Sequence, residues 1–132
     1  MKKTILLIAA AFLMLACDGY GEKVTYDGTE VYYKDAALKT KAEATGAYLQ
    51  EMGFTDGSSK SVQITKDSIY NFRMVVQEGM AQDSTRDVNF MALGFLLSKD
   101  VFDGENIHFD LCDNTFETIR TIPIEGFNTE TD

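Results

Sequence analysis

The sequence predicts an α+β domain: a mostly antiparallel sheet with two helices on one face. Three observations lead there. Short runs that alternate apolar and polar residues, the mark of half-buried strands, occur in pairs joined by Asp, Asn and Gly. Two longer stretches change to a helical period, and the only proline, Pro123, is expected to stop the last strand. The third observation is an internal echo. A helix, then Phe54-Thr55-Asp56-Gly57 or Phe102-Asp103-Gly104, a strand, a polar turn holding Asp67 or Asp113 and a second strand follow in the same order twice. Asp56 and Asp103 stand 47 residues apart and Val62 and Ile107 stand 45 apart, so the chain reads as two αββ pseudo-repeats, one sheet with both helices on the same side.

The elements follow in order. Lys23 to Tyr26 and Glu30 to Lys34 are short Tyr- and Val-rich strands about Asp27-Gly28, where glycine accepts the positive φ of a tight reversal. From Thr40 the period becomes helical. Thr40 and Glu43 have capping-box spacing, Ala42, Thr45, Leu49 and Met52 share a face, and Gly53 supplies a stop. After the loop Gly57-Ser58-Ser59, Val62 and Ile64 alternate with Ser61, Gln63 and Thr65. Lys66-Asp67-Ser68 turns the chain into a longer strand, Ile69 to Gln77, that shows Tyr70, Phe72, Met74 and Val76 on one face.

A second helix begins near Asp83 or Ser84, whose side chains can accept from the free N–H groups of a first turn. Its middle, Val88 to Leu97, is apolar on nearly every side except at Asn89 and is too short to span a membrane. Such a helix is either covered on its back by a neighbouring element or presents a surface for a partner or a second copy, through Phe90, Leu93, Leu97 and Val101. Asp103-Gly104 then leads into a strand with Ile107, Phe109 and Leu111 on one side and His108, Asp110 and Cys112 on the other. Asp113-Asn114-Thr115 turns again, and Phe116 to Ile122 is the last strand. One folded domain is expected over 24–124, followed by a flexible acidic tail, 125–132.

The 132 residues carry 21 acids against 12 bases, a net charge of −9, and loss of Lys2 and Lys3 with the leader would make it −11. That excess disfavours nucleic acid and anionic lipid headgroups, both of which need clustered Lys and Arg. Its ordinary role is solubility, and attraction of a basic partner is the alternative.

Residues 1–16 read as a signal peptide: Lys2 and Lys3 precede an unbroken apolar run, Ile5 to Ala16. Met14-Leu15-Ala16-Cys17 resembles the lipobox of bacterial lipoproteins, with Met14 where Leu is usual. The resemblance implies cleavage before Cys17 and lipidation of its sulfur, with 17–23 as a short tether; acyl chains contribute about 0.8 kcal/mol per buried CH₂, so two or three hold a protein durably. Cleavage to a free secreted protein and an uncleaved anchor are the alternatives. Asp18 resembles the inner-membrane retention signal of enteric lipoproteins, which other Gram-negative groups read differently, so the choice between inner and outer membrane stays open. With Cys17 acylated, Cys112 is left as a lone thiol; a Cys17 to Cys112 disulfide would instead exclude the lipid. The segments Asp56 to Val76 and Val101 to Asp113 also resemble a small domain of uncharacterised bacterial proteins, a resemblance that implies no activity and no site residues.

Candidate chemistry is sparse. His108, Asp110 and Cys112 alternate along one strand and could share a face, the strongest constellation for a metal or a thiol nucleophile, but no fourth ligand is identifiable. Arg73 and Arg120 fall at related places in the two repeats and are expected on the open sheet face, to bind an anionic group or to pair with Glu117 or Asp110. The Walker, EF-hand, zincin and nucleophile-elbow spacings are absent. The expected function is thus a lipid-anchored, non-enzymatic envelope domain without cofactor that binds an unknown protein or ligand, homo-oligomer formation included. A small metal- or thiol-dependent enzyme using the His108 strand is the rival.

Overall fold

The computed structural model describes residues 19–127; residues 1–18, with the expected signal peptide and Cys17, and residues 128–132 lie outside the described residues. Within them six strands form one sheet in sequential order: β1 (Glu22–Tyr26), β2 (Thr29–Tyr33), β3 (Lys60–Lys66), β4 (Tyr70–Val75), β5 (Ile107–Cys112) and β6 (Thr118–Ile124). Helices α1 (Lys39–Glu51) and α2 (Asp87–Asp100) both lie on the face where Val31, Ile64, Phe72, Phe109 and Ile122 are buried. The hairpins β1–β2, β3–β4 and β5–β6 are antiparallel. Where a helix carries the chain back to the starting end of the sheet, the next strand must run parallel, so β2–β3 and β4–β5 are parallel pairs. The fold is therefore α+β and mostly antiparallel, as the sequence predicts, with one parallel step at each helix. Pro123 does not stop β6 as expected: Pro123 and Ile124 still pair within that strand, with His108 and Ile107, which an edge strand allows.

Local chemistry explains the joints. Asp27 and Gly28 both take positive φ, 51° and 89°, which is the two-residue turn whose twist matches a hairpin. A Cβ on Gly28 would also stand 2.6 Å from the Ser58 carbonyl oxygen, so packing as well as dihedral demands glycine there. The helix start differs from the predicted capping box. Asp35 Oδ1 accepts from the Ala37 N–H at 3.0 Å and opens a single 3-10 turn, Ala36–Leu38, that runs straight into α1; Thr40 is already inside the helix. At the other end Phe54 N–H donates to the Leu49 carbonyl at 2.9 Å and Gly53 N–H to that of Gln50 at 3.2 Å, a Schellman stop around Gly53, φ 84°. Met52 caps that end from solvent and does not join the core.

Asp83 starts the second helix as predicted, accepting from Thr85 N–H at 3.1 Å and opening a 3-10 turn, Ser84–Arg86, ahead of α2. Contacts reach into both boundary segments. Glu22 and Lys23 belong to β1 and Tyr20 packs on the sheet, so the tether does not reach residue 23. At the other end Gly126 N–H donates to Asn106 Oδ1 at 2.8 Å, and Phe127 N–H to the Gly104 carbonyl at 2.7 Å, which fixes part of the supposed tail.

Both helices approach the sheet through a glycine. A Cβ on Gly46 would sit 2.1 Å from the ring of Tyr26, and one on Gly94 would sit 2.7 Å from Cδ1 of Ile124. These glycines are 48 residues apart, in step with the repeat. Gly46→Ala should lower stability in urea by about 1–2 kcal/mol, because overpacking against a ring outweighs the gain of roughly 1 kcal/mol in helix propensity. Gly94→Ala meets Cδ1 and Cγ1 of the buried Ile124 at 2.7 and 2.8 Å and the Phe109 ring at 3.2 Å, so it too should lower stability, though by less than Gly46→Ala because an aliphatic chain yields more readily than a ring, as a parallel urea titration would show.

Candidate functional site

The sheet face away from the helices carries a connected polar network centred on Arg73. Odd and even positions of a strand face opposite ways, so the alternation that buries Phe72 and Met74 against the helices places Asn71 and Arg73 on the open side. Arg73 Nε donates to Gln63 Oε1 on β3 at 3.0 Å. Its Nη1 donates to Asp110 Oδ2 on β5 at 2.8 Å and to Thr118 Oγ1 on β6 at 2.9 Å, and Nη2 donates to the Phe116 carbonyl. Thr121 Oγ1 donates to the other oxygen of Asp110 at 2.7 Å. The side chains of the ion pair are 17% and 8% exposed, so this charge pair is largely withdrawn from water, and the guanidinium makes four hydrogen bonds.

An aromatic roof borders the network. Tyr20, Tyr32 and Phe116 meet edge to face with ring centroids 5.1 to 5.7 Å apart. Phe116 takes φ 61°, an uncommon conformation for a side chain of this size, and its carbonyl is the one held by Arg73. The Tyr20 carbonyl accepts from Gln63 Nε2 at 3.1 Å, which stitches the incoming chain to the same network.

The alternating triplet does share this face, yet each member is engaged separately. His108 Nδ1 lies 3.1 Å from Asn71 Oδ1; Asn71 gives its amide hydrogens to Thr65, so its oxygen accepts and Nδ1 is the donor. Asp110 belongs to Arg73 and Thr121. Cys112 is fully buried, its sulfur faces the Asp110 carbonyl at 3.8 Å, and burial pushes the thiol up to about 11, so the nucleophilic thiolate is scarce at neutral pH. No His108–Cys112 contact pairs a base with a nucleophile, and among the described residues no three His, Cys, Asp or Glu converge on a point that could hold a metal ion.

Arg120 is on the other face. It has the parity of Ile122 and Ile124, which point at the helices, and its register partner is the buried Leu111. There it forks onto Asp87 at the start of α2, with Nη1 at 3.0 Å and Nη2 at 2.5 Å, while Nε donates to the Ala81 carbonyl at 2.7 Å. The two arginines thus form no common anion site; each ties one sheet face to its surroundings.

The four residues expected at a partner surface face the sheet instead. Phe90, Leu97 and Val101 are buried under α2 and Leu93 packs against the core, so these four residues hold the helix to the sheet. The opposite arc is apolar as well: Val88 is 70%, Met91 49% and Phe95 45% exposed, with Ala92 and Leu96 beside them. Phe127 stacks on Phe95 at 4.5 Å, and a groove of 580 Å³ runs between Met91, Phe95, Pro123 and Ile124. A second concavity, 520 Å³, has an apolar floor of Phe54, Met74, Val76 and Met80 and a rim of serines. No described helix is long and apolar enough to cross a membrane.

Residues 23–123 match the model of AF_1994_N, described as a family N-terminal domain. The chain belongs to this family. No curated protein and no solved structure gives a significant match. The matched span of the AF_1994_N domain runs from β1 to the proline of β6, so it takes in the Arg73 network and α2, and the family description attaches no activity to either. Sequence reasoning missed Tyr20, Gln63 and Phe116 because their roles arise only when four strands come together. Val88, Ala92, Phe95 and Lys99 were readable at i, i+4, i+7 and i+11 but hidden by an equally apolar inner arc.

Removing one side of the buried pair should be severe. Arg73→Met leaves Asp110 charged and unpaired and should cost about 3–5 kcal/mol in urea unfolding, while Arg73→Met with Asp110→Leu should recover most of that loss. Acid tests the other pair. The Arg120 guanidinium holds Asp87 below the usual carboxylate range, and hydrogen bonds from Thr115, led by its hydroxyl, do the same for Asp113. A depressed folded value means stability that is full above the unfolded value of about 4 and lost as pH falls through the folded value. The urea midpoint should therefore be flat from about pH 7 to 5 and fall below about 4, with a shallower fall in Asp87→Asn.

Proposed function

We propose that the chain is a lipid-anchored, non-enzymatic domain of the bacterial cell envelope whose work is to dock another molecule. The observation that carries this reading is the leader itself: a cationic start, an apolar run that ends at Ala16, and Met14-Leu15-Ala16 directly before Cys17. Acyl chains on Cys17 would supply the membrane attachment that the described helices lack the length to provide.

The docking part draws support from the outer arc of α2. Large side chains left open to water on one side of one helix are the ordinary sign of a contact surface, and the polar face opposite is occupied by its own hydrogen bonds. Only Asp18 and Gly19 separate Cys17 from Tyr20, and they span no more than about 11 Å. An anchored domain would therefore ride close to the bilayer.

The test is the intact mass of the full chain recovered from a bacterial envelope, beside Cys17→Ala. The expected species begins at Cys17 and carries acyl mass, and the variant lacks both the acyl mass and the membrane fraction. An unacylated wild-type chain found in the soluble fraction overturns the anchor.

A further inference from the structure

The outer arc of α2 is uncharged on a strongly charged molecule. From Val88 to Ser98 the sequence has no ionisable residue, while the chain carries −9. Two copies of so acidic a chain repel one another wherever carboxylates face, and this stripe is a place where they can meet without that penalty. Each end of the stripe carries charges of both signs, Asp83 beside Arg86 at 3.6 Å and Lys99 beside Asp100 at 3.8 Å. Asp83 and the positive end of the helix dipole stand before it, and Lys99 follows it with its side chain 54% exposed. Two such helices laid antiparallel set the Lys99 of each beside the Asp83 of the other.

The spacing fits the same arrangement. Val88, Ala92, Phe95 and Lys99 follow one line along the helix, with Met91 and Leu96 as flanks. The point midway between Asp83 and Lys99 falls at residue 91, next to Ala92, whose small side chain lets two helix axes come close. Val88 of one helix then faces Phe95 and Leu96 of the other. The neighbouring edge strand is a poorer dock, because Pro123 in β6 has no N–H to offer an added strand.

Area decides what strength to expect. At about 100 Å² for each half-exposed large side chain, the stripe with Phe127 presents about 500 Å², within reach of the roughly 800 Å² per partner of a standard interface once Thr85, Asn89 and the Lys99 stem join the rim. A bilayer fits less well. Tyr20 brings the N-terminal segment in on the sheet face opposite α2, so an anchored chain turns this helix away from the membrane, a step that rests on the anchored reading above.

We infer that a second copy of this chain covers the outer arc of α2, the two helices crossing antiparallel at Ala92. In cells producing the full chain, Ala92→Cys should give a disulfide-linked species of twice the monomer mass, whereas Ser59→Cys, exposed elsewhere, and the unsubstituted chain should not. Phe95→Glu should weaken self-association at least tenfold in sedimentation of the detergent-extracted full chain, and Lys99→Glu about threefold. A monomer at about 100 µM with no crosslink overturns the inference. So does an Ala92→Cys adduct of another mass. Protection of Ala92→Cys from a water-soluble thiol reagent by phosphatidylethanolamine–phosphatidylglycerol vesicles, without a crosslink, overturns it in favour of lipid. Lipid labelling of Cys17 in the same cells is read separately: a crosslinked dimer without the label supports the pairing and removes the anchor.

Discussion

The largely buried guanidinium of Arg73 is the interaction around which the open face is arranged, because a charge drawn away from water needs partners for its donors and few arrangements supply them. Its fork reaches β3 through Gln63, β5 through Asp110 and β6 through Thr118, and Nη2 donates to the carbonyl of Phe116. Phe116, at positive φ, offers that carbonyl to Arg73 and its ring to Tyr20 and Tyr32. One side chain thereby links β3, β5, β6 and the last turn, and through Gln63 the N-terminal segment.

The fold was legible where one residue carries its own reason. Asp27-Gly28 and Gly53 announce their turns by dihedral preference, and alternation through Phe72 and Met74 or Phe109 and Leu111 settles which way a strand faces. Legibility failed where two residues competed for one role. Thr40 has the spacing of a cap, yet Asp35 lies a turn earlier and takes it. Arg120 looked equivalent to Arg73 by its distance in the repeat, but the second hairpin has a longer turn and a register shift between Leu111 and Cys112, and parity with Ile122 sends the side chain to the helix side. Distance along the chain is a poor guide once the turn lengths of two repeats differ; face parity is a safe one.

The candidate sites divide the same way. His108, Asp110 and Cys112 do line one face, as their spacing dictates, but alternation says nothing of neighbours on other strands. Those neighbours, Asn71, Arg73 and Thr121, absorb the chemistry the triplet offers. For α2 the sequence identified an element with too many apolar sides, and the glycine at 94 was the clue to which side meets the sheet, since only a residue without a side chain lets Ile124 and Phe109 come so near.

The seat of Tyr20 also sets how the domain meets mechanical load. A pull on the N-terminus would otherwise peel β1, an edge strand, one hydrogen-bonded pair at a time. Instead it meets a clamp first: the Tyr20 ring is gripped by Tyr32 on β2 and by Phe116 in the last turn, and its carbonyl is held by Gln63 on β3. Tension entering there is shared among three separated parts of the sheet before the first ladder bond of β1 is strained.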